Sequence, residues 1–166
     1  MYRTIKDFKS DWQQETESTL KIFHSLTDAS LSQKVTSSGR SLGFLAWHIT
    51  MTMAEMGGRT GLRVSGPEEK APVPAHTATL VKAYETAAQS LLNEVKNNWT
   101  DETLGETVDM YGEQWTRGFA LSSLLRHQTH HRGQMTVLMR QAGLRVPGVC
   151  GPSHEEWAQW GMPAMQ

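Results

Sequence analysis

The sequence predicts an all-α fold, a four-helix bundle, and three observations carry that prediction. Four stretches repeat apolar residues at three- and four-residue steps, the spacing that gathers them on one face of a helix. One long break between those stretches, Gly61 to Thr77, holds Gly66-Pro67, Pro72 and Pro74, as a surface loop should. The 166 residues, 38% hydrophobic and 20% charged, suffice for one hydrophobic core and are few for two. One domain over residues 1–166 is therefore expected, with neither an internal repeat nor a low-complexity tract.

The first helix is expected from about Ile5 to Leu26, where Phe8, Trp12, Thr19 or Leu20, Phe23 and Leu26 recur in phase. Asp28 to Gly39 is rich in Ser and Thr and reads as a connection. Ser41 is placed to cap a second helix that runs to about Met56, with Gly57-Gly58 as its stop. Thr77 or Thr79 caps a third helix to about Asn97, with Leu80, Tyr84, Ala87, Leu91 and Val95 on one face. From Trp99 to Trp115 the pattern is ambiguous, and Thr107 to Gly112 is either a short hairpin or an irregular excursion. A fourth helix spans roughly Gly118 to Gln141 and closes at Gly143. The Gly- and Pro-rich tail from Val146 to Gln166 carries Trp157 and Trp160, which predicts that it packs back on the bundle. Helices with one apolar face, joined by mixed short and long connections, make a bundle of this kind.

Composition excludes several function classes. Sixteen basic against seventeen acidic residues give a formal net charge of -1, which offers no electrostatic footprint for nucleic acid or an anionic membrane. No apolar run approaches the roughly 20 residues that span a bilayer. Charges at Arg3, Lys6 and Asp7 interrupt any signal-peptide core. The one cysteine, Cys150, builds no disulfide framework, so a reducing, cytoplasmic setting is expected. Cys150 itself is read as a small buried hydrophobe before a nucleophile.

Histidine carries the chemistry. Seven are present, and three cluster as His127-Gln128-Thr129-His130-His131. Residues four apart on a helix share a face, with Cβ atoms roughly 5–6 Å apart. Two imidazoles so placed can converge on one ion through bonds of about 2.0–2.1 Å. At about 100° per residue, Leu121, Leu124, Gln128, Met135, Leu138 and Ala142 fall on the core face of the fourth helix. His127 and His131 lie at the edge of that face, and His130 points away. A pair alone is a weak site, so the third ligand should come from a facing helix. His48, in Leu45-Ala46-Trp47-His48-Ile49, is the candidate; Phe44, Thr52 and Glu55 share its face. A buried histidine without a partner costs free energy that a metal bond would remove. The competing reading makes His48 a core histidine bonded to a carbonyl and the HxxxH a solvated pair.

The run His127-Gln128-Thr129-His130-His131-Arg132-Gly133-Gln134-Met135, with Ser41 to Ile49 upstream, resembles the signature of the DinB superfamily (DinB/YfiT-like). The run Arg140 to Ser153 is similar to one branch of it, and the likeness covers the chain in order. Where that family often has an aromatic residue, this chain has Cys150. The resemblance implies an up-down-down-up bundle, a zinc- or nickel-type site on three histidines, and frequently a homodimer. Six Trp and nine Met are many for one small core and agree with an apolar interface.

A metal on His48, His127 and His131 would keep open positions, the layout of catalytic and not structural zinc. Imidazole suits Zn, Ni, Cu or Fe alike. His127-Gln128-x-x-His131 has zincin spacing, but Gln128 stands where the general-base glutamate belongs, and glutamine accepts no proton. Hydrolysis would need another carboxylate, and Glu55 and Glu113 are the candidates. The family resemblance implies thiol S-transferases that use a low-molecular-weight thiol such as bacillithiol, mycothiol or glutathione, with a small-molecule electrophile. That chemistry needs no protein base once the thiol is ionised. Trp47 and Trp115 could line an apolar cleft, and Arg132 is read as a packing residue. A metal-dependent hydrolase, or a metal-binding stress or interaction protein without turnover, stays open beside it.

Overall fold

The computed structural model describes residues 1–164. Four α-helices, α1 (Ile5–His24), α2 (Leu42–Arg59), α3 (Thr77–Asn98) and α4 (Arg117–Gln141), enclose the core, and a two-stranded hairpin, β1 (Thr107–Met110) and β2 (Glu113–Thr116), precedes α4. Short 3-10 turns at Asp28–Ser32, Thr103–Gly105 and Trp157–Trp160 complete the chain.

Side-chain contacts fix the helix directions. Trp12 donates its Nε1–H to the Ala88 carbonyl at 3.1 Å, and Phe23, further along α1, meets Tyr84, earlier in α3, so α1 and α3 are antiparallel. Gly57 of α2 lies against Leu91 of α3, while Trp47 shares a groove with Thr79 and Ala83, so these two run parallel. The Met1 amino group reaches Ser122 at 3.2 Å, and Thr129 reaches Glu15 at 3.3 Å, which sets α4 parallel to α1. The order around the bundle is α1, α3, α2, α4, and the directions are up, down, down, up. Phe8, Trp12, Phe23, Ile49, Met53, Tyr84, Leu91 and Met135, each at most 1% exposed, form its centre.

Local sequence explains most of the boundaries. Thr4, Ser41 and Thr116 cap α1, α2 and α4, each side-chain oxygen accepting from the backbone N–H three residues on. Two boundaries differ from expectation. Gly57-Gly58 does not stop α2, which continues to Arg59 with Thr60 as its cap; Gly61 follows, and its φ of 89° is the left-handed conformation a helix exit favours. Gly57 serves close approach instead: a Cβ there would stand 2.6 Å from Val64 Cγ2. At α3, neither Thr77 nor Thr79 is the cap. His76 holds the cap position without a side-chain bond, and the Asp28 carboxylate, from the α1–α2 connection, accepts from the Thr77 N–H at 2.8 Å. Helix α1 ends at His24, short of the expected Leu26, because Ser25 turns the last N–H groups back on Ile22 and Phe23.

The ambiguous stretch before α4 resolves as the hairpin. Tyr111 and Gly112 both take positive φ, 61° and 85°, as a two-residue hairpin turn requires. Two strands alone are marginal in water; fully buried Met110 anchors them on the bundle. The tail folds back in part. Val146 is buried, Arg140 pairs with Glu155, and Glu156 accepts from the N–H groups of Gly148 and Ser153. Trp157 is half-buried, whereas Trp160 stands 68% exposed. Of the tail as expected, residues 165–166 lie outside the described residues. Cys150 is exposed, against the expectation of a buried hydrophobe. No helix among the described residues is long and apolar enough to cross a membrane.

Candidate metal centre

His48 stands in the middle of α2, facing α4. His127 and His131 stand one turn apart on α4, as the i, i+4 spacing demands. The Nε2 of His127 lies 3.1 Å from the Nε2 of His48 and 3.1 Å from the Nε2 of His131. The ligand atoms of the three residues all lie within 4.8 Å of one another, a group that could hold a metal ion. The three rings meet edge to face, with centroids 4.4 to 4.9 Å apart.

Hydrogen bonding alone does not account for this convergence. Each neutral imidazole has one donor and one acceptor nitrogen. The Nδ1 of His131 lies 2.8 Å from Gln134 Oε1, an acceptor, so that nitrogen carries the proton and Nε2 turns a lone pair toward the cluster. His127 Nε2 can donate to one neighbour or accept from one, but it faces two at the same distance. A cation at the shared point satisfies every lone pair at once. Tetrahedral bonds of about 2.0–2.1 Å put ligand nitrogens about 3.3–3.4 Å apart; the two separations from His127 are 3.1 Å, and all three ligand atoms lie within 4.8 Å of one another. The donor set therefore fits a divalent ion.

The electrostatics agree. Burial, then the neighbouring His131, pushes His48 below its ordinary range; burial, then His131 and His48, pushes His127 down to about 4. His131 is lowered chiefly by burial, with its Gln134 hydrogen bond opposing. All three are held neutral near pH 7, the form that binds metals. Phe44, one turn before His48, stacks on its ring at 5.9 Å and 12°. His127 Nδ1 is buried with no hydrogen-bond partner, so neighbouring rings, and not an acceptor, orient it.

The structure leaves His130 outside the cluster, as helical phase predicts. It is exposed, and its Nε2 faces the Gln134 amide nitrogen at 3.1 Å. Gln134 therefore bridges the two histidines, donating to His130 and accepting from His131. Sequence reasoning noted Gln134 without giving it a role; its i, i+3 spacing from His131 is the signal that finds it. Gln128 is fully buried and accepts from the Tyr84 hydroxyl at 2.8 Å. The position a zincin gives to its general base thus points into the core. Arg132 is 2% exposed, pairs with Glu15 and donates to Thr19 at 3.0 Å, a packing role.

The candidate bases are engaged elsewhere. Glu113 accepts from Trp115 Nε1–H at 2.7 Å on the exposed hairpin. Glu55 lies on the groove beside His48 but pairs with Arg59 and accepts from the Tyr111 hydroxyl at 2.7 Å. That groove, about 550 Å³, is walled by Phe44, His48, Met51 and Thr52. Trp115 belongs to an aromatic row of Tyr111, Trp115 and Phe119, with spacings of 6.1 and 4.9 Å. Trp47 does not line this groove; its Nε1–H donates to Ala71 on the face of α2 that meets α3 and the loop.

Comparison with known proteins places this architecture. The chain is 43% identical over 164 residues to the uncharacterized protein YrdA of Bacillus subtilis (strain 168), covering 99% of this chain and 98% of that one. A crystal structure of a DinB-like protein from Bacillus cereus ATCC 10987 superposes with a TM-score of 0.87 at 42% identity, over 90% of this chain and 99% of that one. The DinB-like protein YjoA of Bacillus subtilis shares the fold at 18% identity, with a TM-score of 0.64 over 82% of this chain and 92% of its own. The DinB family model matches residues 1–162, and the chain belongs to that family.

Proposed function

We propose that the chain is a metal-dependent transferase that holds one divalent ion, zinc or nickel, on His48, His127 and His131 and joins a low-molecular-weight thiol to a small electrophile. The observation that carries this reading is the convergence of three neutral imidazoles beside a groove on which the candidate base, Glu55, is already paired. Bound there, the ion would act as a Lewis acid that favours ionisation of a coordinated thiol or water.

The chain's own side chains do the rest. Phe44 fixes the plane of His48, Gln134 fixes the tautomer of His131, and Phe44 and Met51 offer the electrophile an apolar wall. In the transfer, the thiol sulfur forms a bond to carbon, the leaving group departs with its electron pair, and the thiol proton passes to solvent. No residue must accept that proton within the step, which suits a site where Gln128 faces the core. A homodimer belongs to the same proposal, resting on the family resemblance; Trp12, Trp47, Trp99 and five of the nine Met lie in the core and do not argue for it.

Hydrolysis is the second reading, because Glu55 borders the groove. The experiment loads the protein with zinc or nickel and supplies a haloalkyl electrophile with each common cellular thiol, then ester and amide substrates separately. Conjugation above background that disappears with chelation and in His127→Ala supports the transferase. Ester or amide turnover that vanishes in Glu55→Gln, without conjugation, replaces it with the hydrolase. Stoichiometric metal with neither activity leaves a metal-binding protein without turnover.

A further inference from the structure

Arg40 occupies an unusual place beside the histidines. It precedes Ser41, the cap of α2, and its guanidinium carbon sits 5.3 Å over the Phe44 ring, which in turn stacks on His48. Guanidinium, phenyl and imidazole thus form a column that ends at the cluster. The same residue lines a second hollow of about 380 Å³ with Gln134, the partner of His131. One arginine therefore stands beside Phe44, which stacks on His48, and beside Gln134, which bonds to His131.

The end of α2 that follows Arg40 is itself positive. The N-terminal end of a helix carries partial positive charge, which disfavours a cation there. A divalent ion would raise the positive potential further. The other arginines near the site are engaged: Arg59 pairs with Glu55, and Arg126 bonds to Ser122 and Ser123 on its own helix. Among the described residues, Arg40 makes neither an ion pair nor a side-chain hydrogen bond, so its donors remain exposed and unspent.

We propose that Arg40 seats a carboxylate of the small molecule that reaches the histidines, so that the thiol this site takes is an anionic one. The proposal rests on the thiol-transfer reading above for the word thiol, and on Arg40 alone for the word anionic. A planar guanidinium matches a carboxylate through two parallel hydrogen bonds, and stacking on Phe44 holds it ready without closing off its N–H edge. The carboxylate would supply the negative charge that the helix end, the guanidinium and the ion together lack.

The test is calorimetric, on zinc-loaded and metal-free protein, with three probes: 3-mercaptopropionate, its neutral amide, and the thiol-free succinate. The expected result is that zinc-loaded protein binds 3-mercaptopropionate about tenfold more tightly than the amide. Arg40→Gln should erase that preference and Arg40→Lys should restore part of it. Equal affinity for the acid and the amide, or an equal loss for both in Arg40→Gln, would overturn the proposal, since Arg40 would then act only by packing on Phe44. If 3-mercaptopropionate binds no better than succinate, the thiol reading falls by itself. Succinate then decides the anion seat: about tenfold weaker binding in Arg40→Gln keeps it, and no change removes it.

Discussion

The two sides of α4 carry polar groups of opposite fate. On the side toward α1 and α3, the Gln128 oxygen meets Tyr84, and Arg132 meets Glu15 and Thr19; the charges there are matched within the bundle, though the Gln128 nitrogen is left without a partner. On the side toward α2, His127 and His131 meet His48, and the same atoms cannot all be satisfied by one another. Both sides are partly or fully withdrawn from water, so burial does not distinguish them. Matching does. Polar groups that pair with each other hold a fold together, whereas polar groups that converge with one partner short define a place for something else.

Breaking the matched side should have the largest effect. Arg132→Met leaves the Glu15 carboxylate buried without its cation, and such a loss costs about 3–5 kcal/mol. The double variant Glu15→Met with Arg132→Met removes both charges and should recover most of that stability. Denaturant midpoints on the two single variants and the double measure the coupling. Additive losses would mean that the pair is not the seam of the bundle.

The unmatched side should respond in metal affinity. Loss of an outer partner of a metal-binding histidine costs about 10–100-fold in affinity, so Gln134→Leu should fall in that range. His127→Ala removes a ligand outright and should exceed it, whereas His130→Ala should stay near the parent protein. Competition titration with a zinc chelator ranks the three. Equal losses in His127→Ala and His130→Ala would show that the wrong face of α4 carries the ligands.

Acid should separate the two sides next. His127 is held down to about 4 in the folded chain against an ordinary 6.5, chiefly by burial. Between those values the unfolded chain binds more protons than the folded one, so acid favours unfolding. Stability of the metal-free protein should be level above about pH 6.5, fall as the pH drops through that value, and continue falling to about 4. His48 and His131 are shifted in the same direction and steepen the slope. Urea midpoints of chelator-treated protein at several pH values check this, and His127→Phe should flatten the curve. A parent protein as stable at pH 5 as at pH 7.5 would contradict it.

Much of this was legible in the sequence. Ser41 announced α2, the apolar periods announced all four helices, and helical phase chose His127 and His131 over His130. The exceptions share a cause. The cap of α3 comes from Asp28, 49 positions before Thr77, and Gly57 is explained by Val64, across the turn that follows α2. Neither relation leaves a local mark. The partners of Gln128 and Arg132 lie on α3 and α1, so periodicity could show that these residues face inward and not what they meet. Glu55 looked available as a base because Tyr111, 56 residues away, is invisible from its own helix.

The smallest expected effect lies between the two sides. Gly133 separates Arg132 of the seam from Gln134 of the site; it is exposed, and a Cβ there would meet nothing within 4 Å. Glycine inside a helix costs roughly 0.5–1 kcal/mol relative to alanine, because the unfolded chain has more freedom to lose. Gly133→Ala should therefore stabilise the isolated chain by about that amount and leave metal affinity as it was, since neither neighbour has to move. One outcome would change the interpretation. Val137, one turn further along the same face, is 52% exposed. If a second copy packs over Gly133 and Val137 in the proposed homodimer, an added methyl lies in the interface. Light scattering would then give a lower mass for Gly133→Ala than for the parent protein at equal concentration, even as the denaturation midpoint rises. A parent protein that is monomeric at every concentration would remove the dimer from the proposal and leave Gly133 a simple stabilising site.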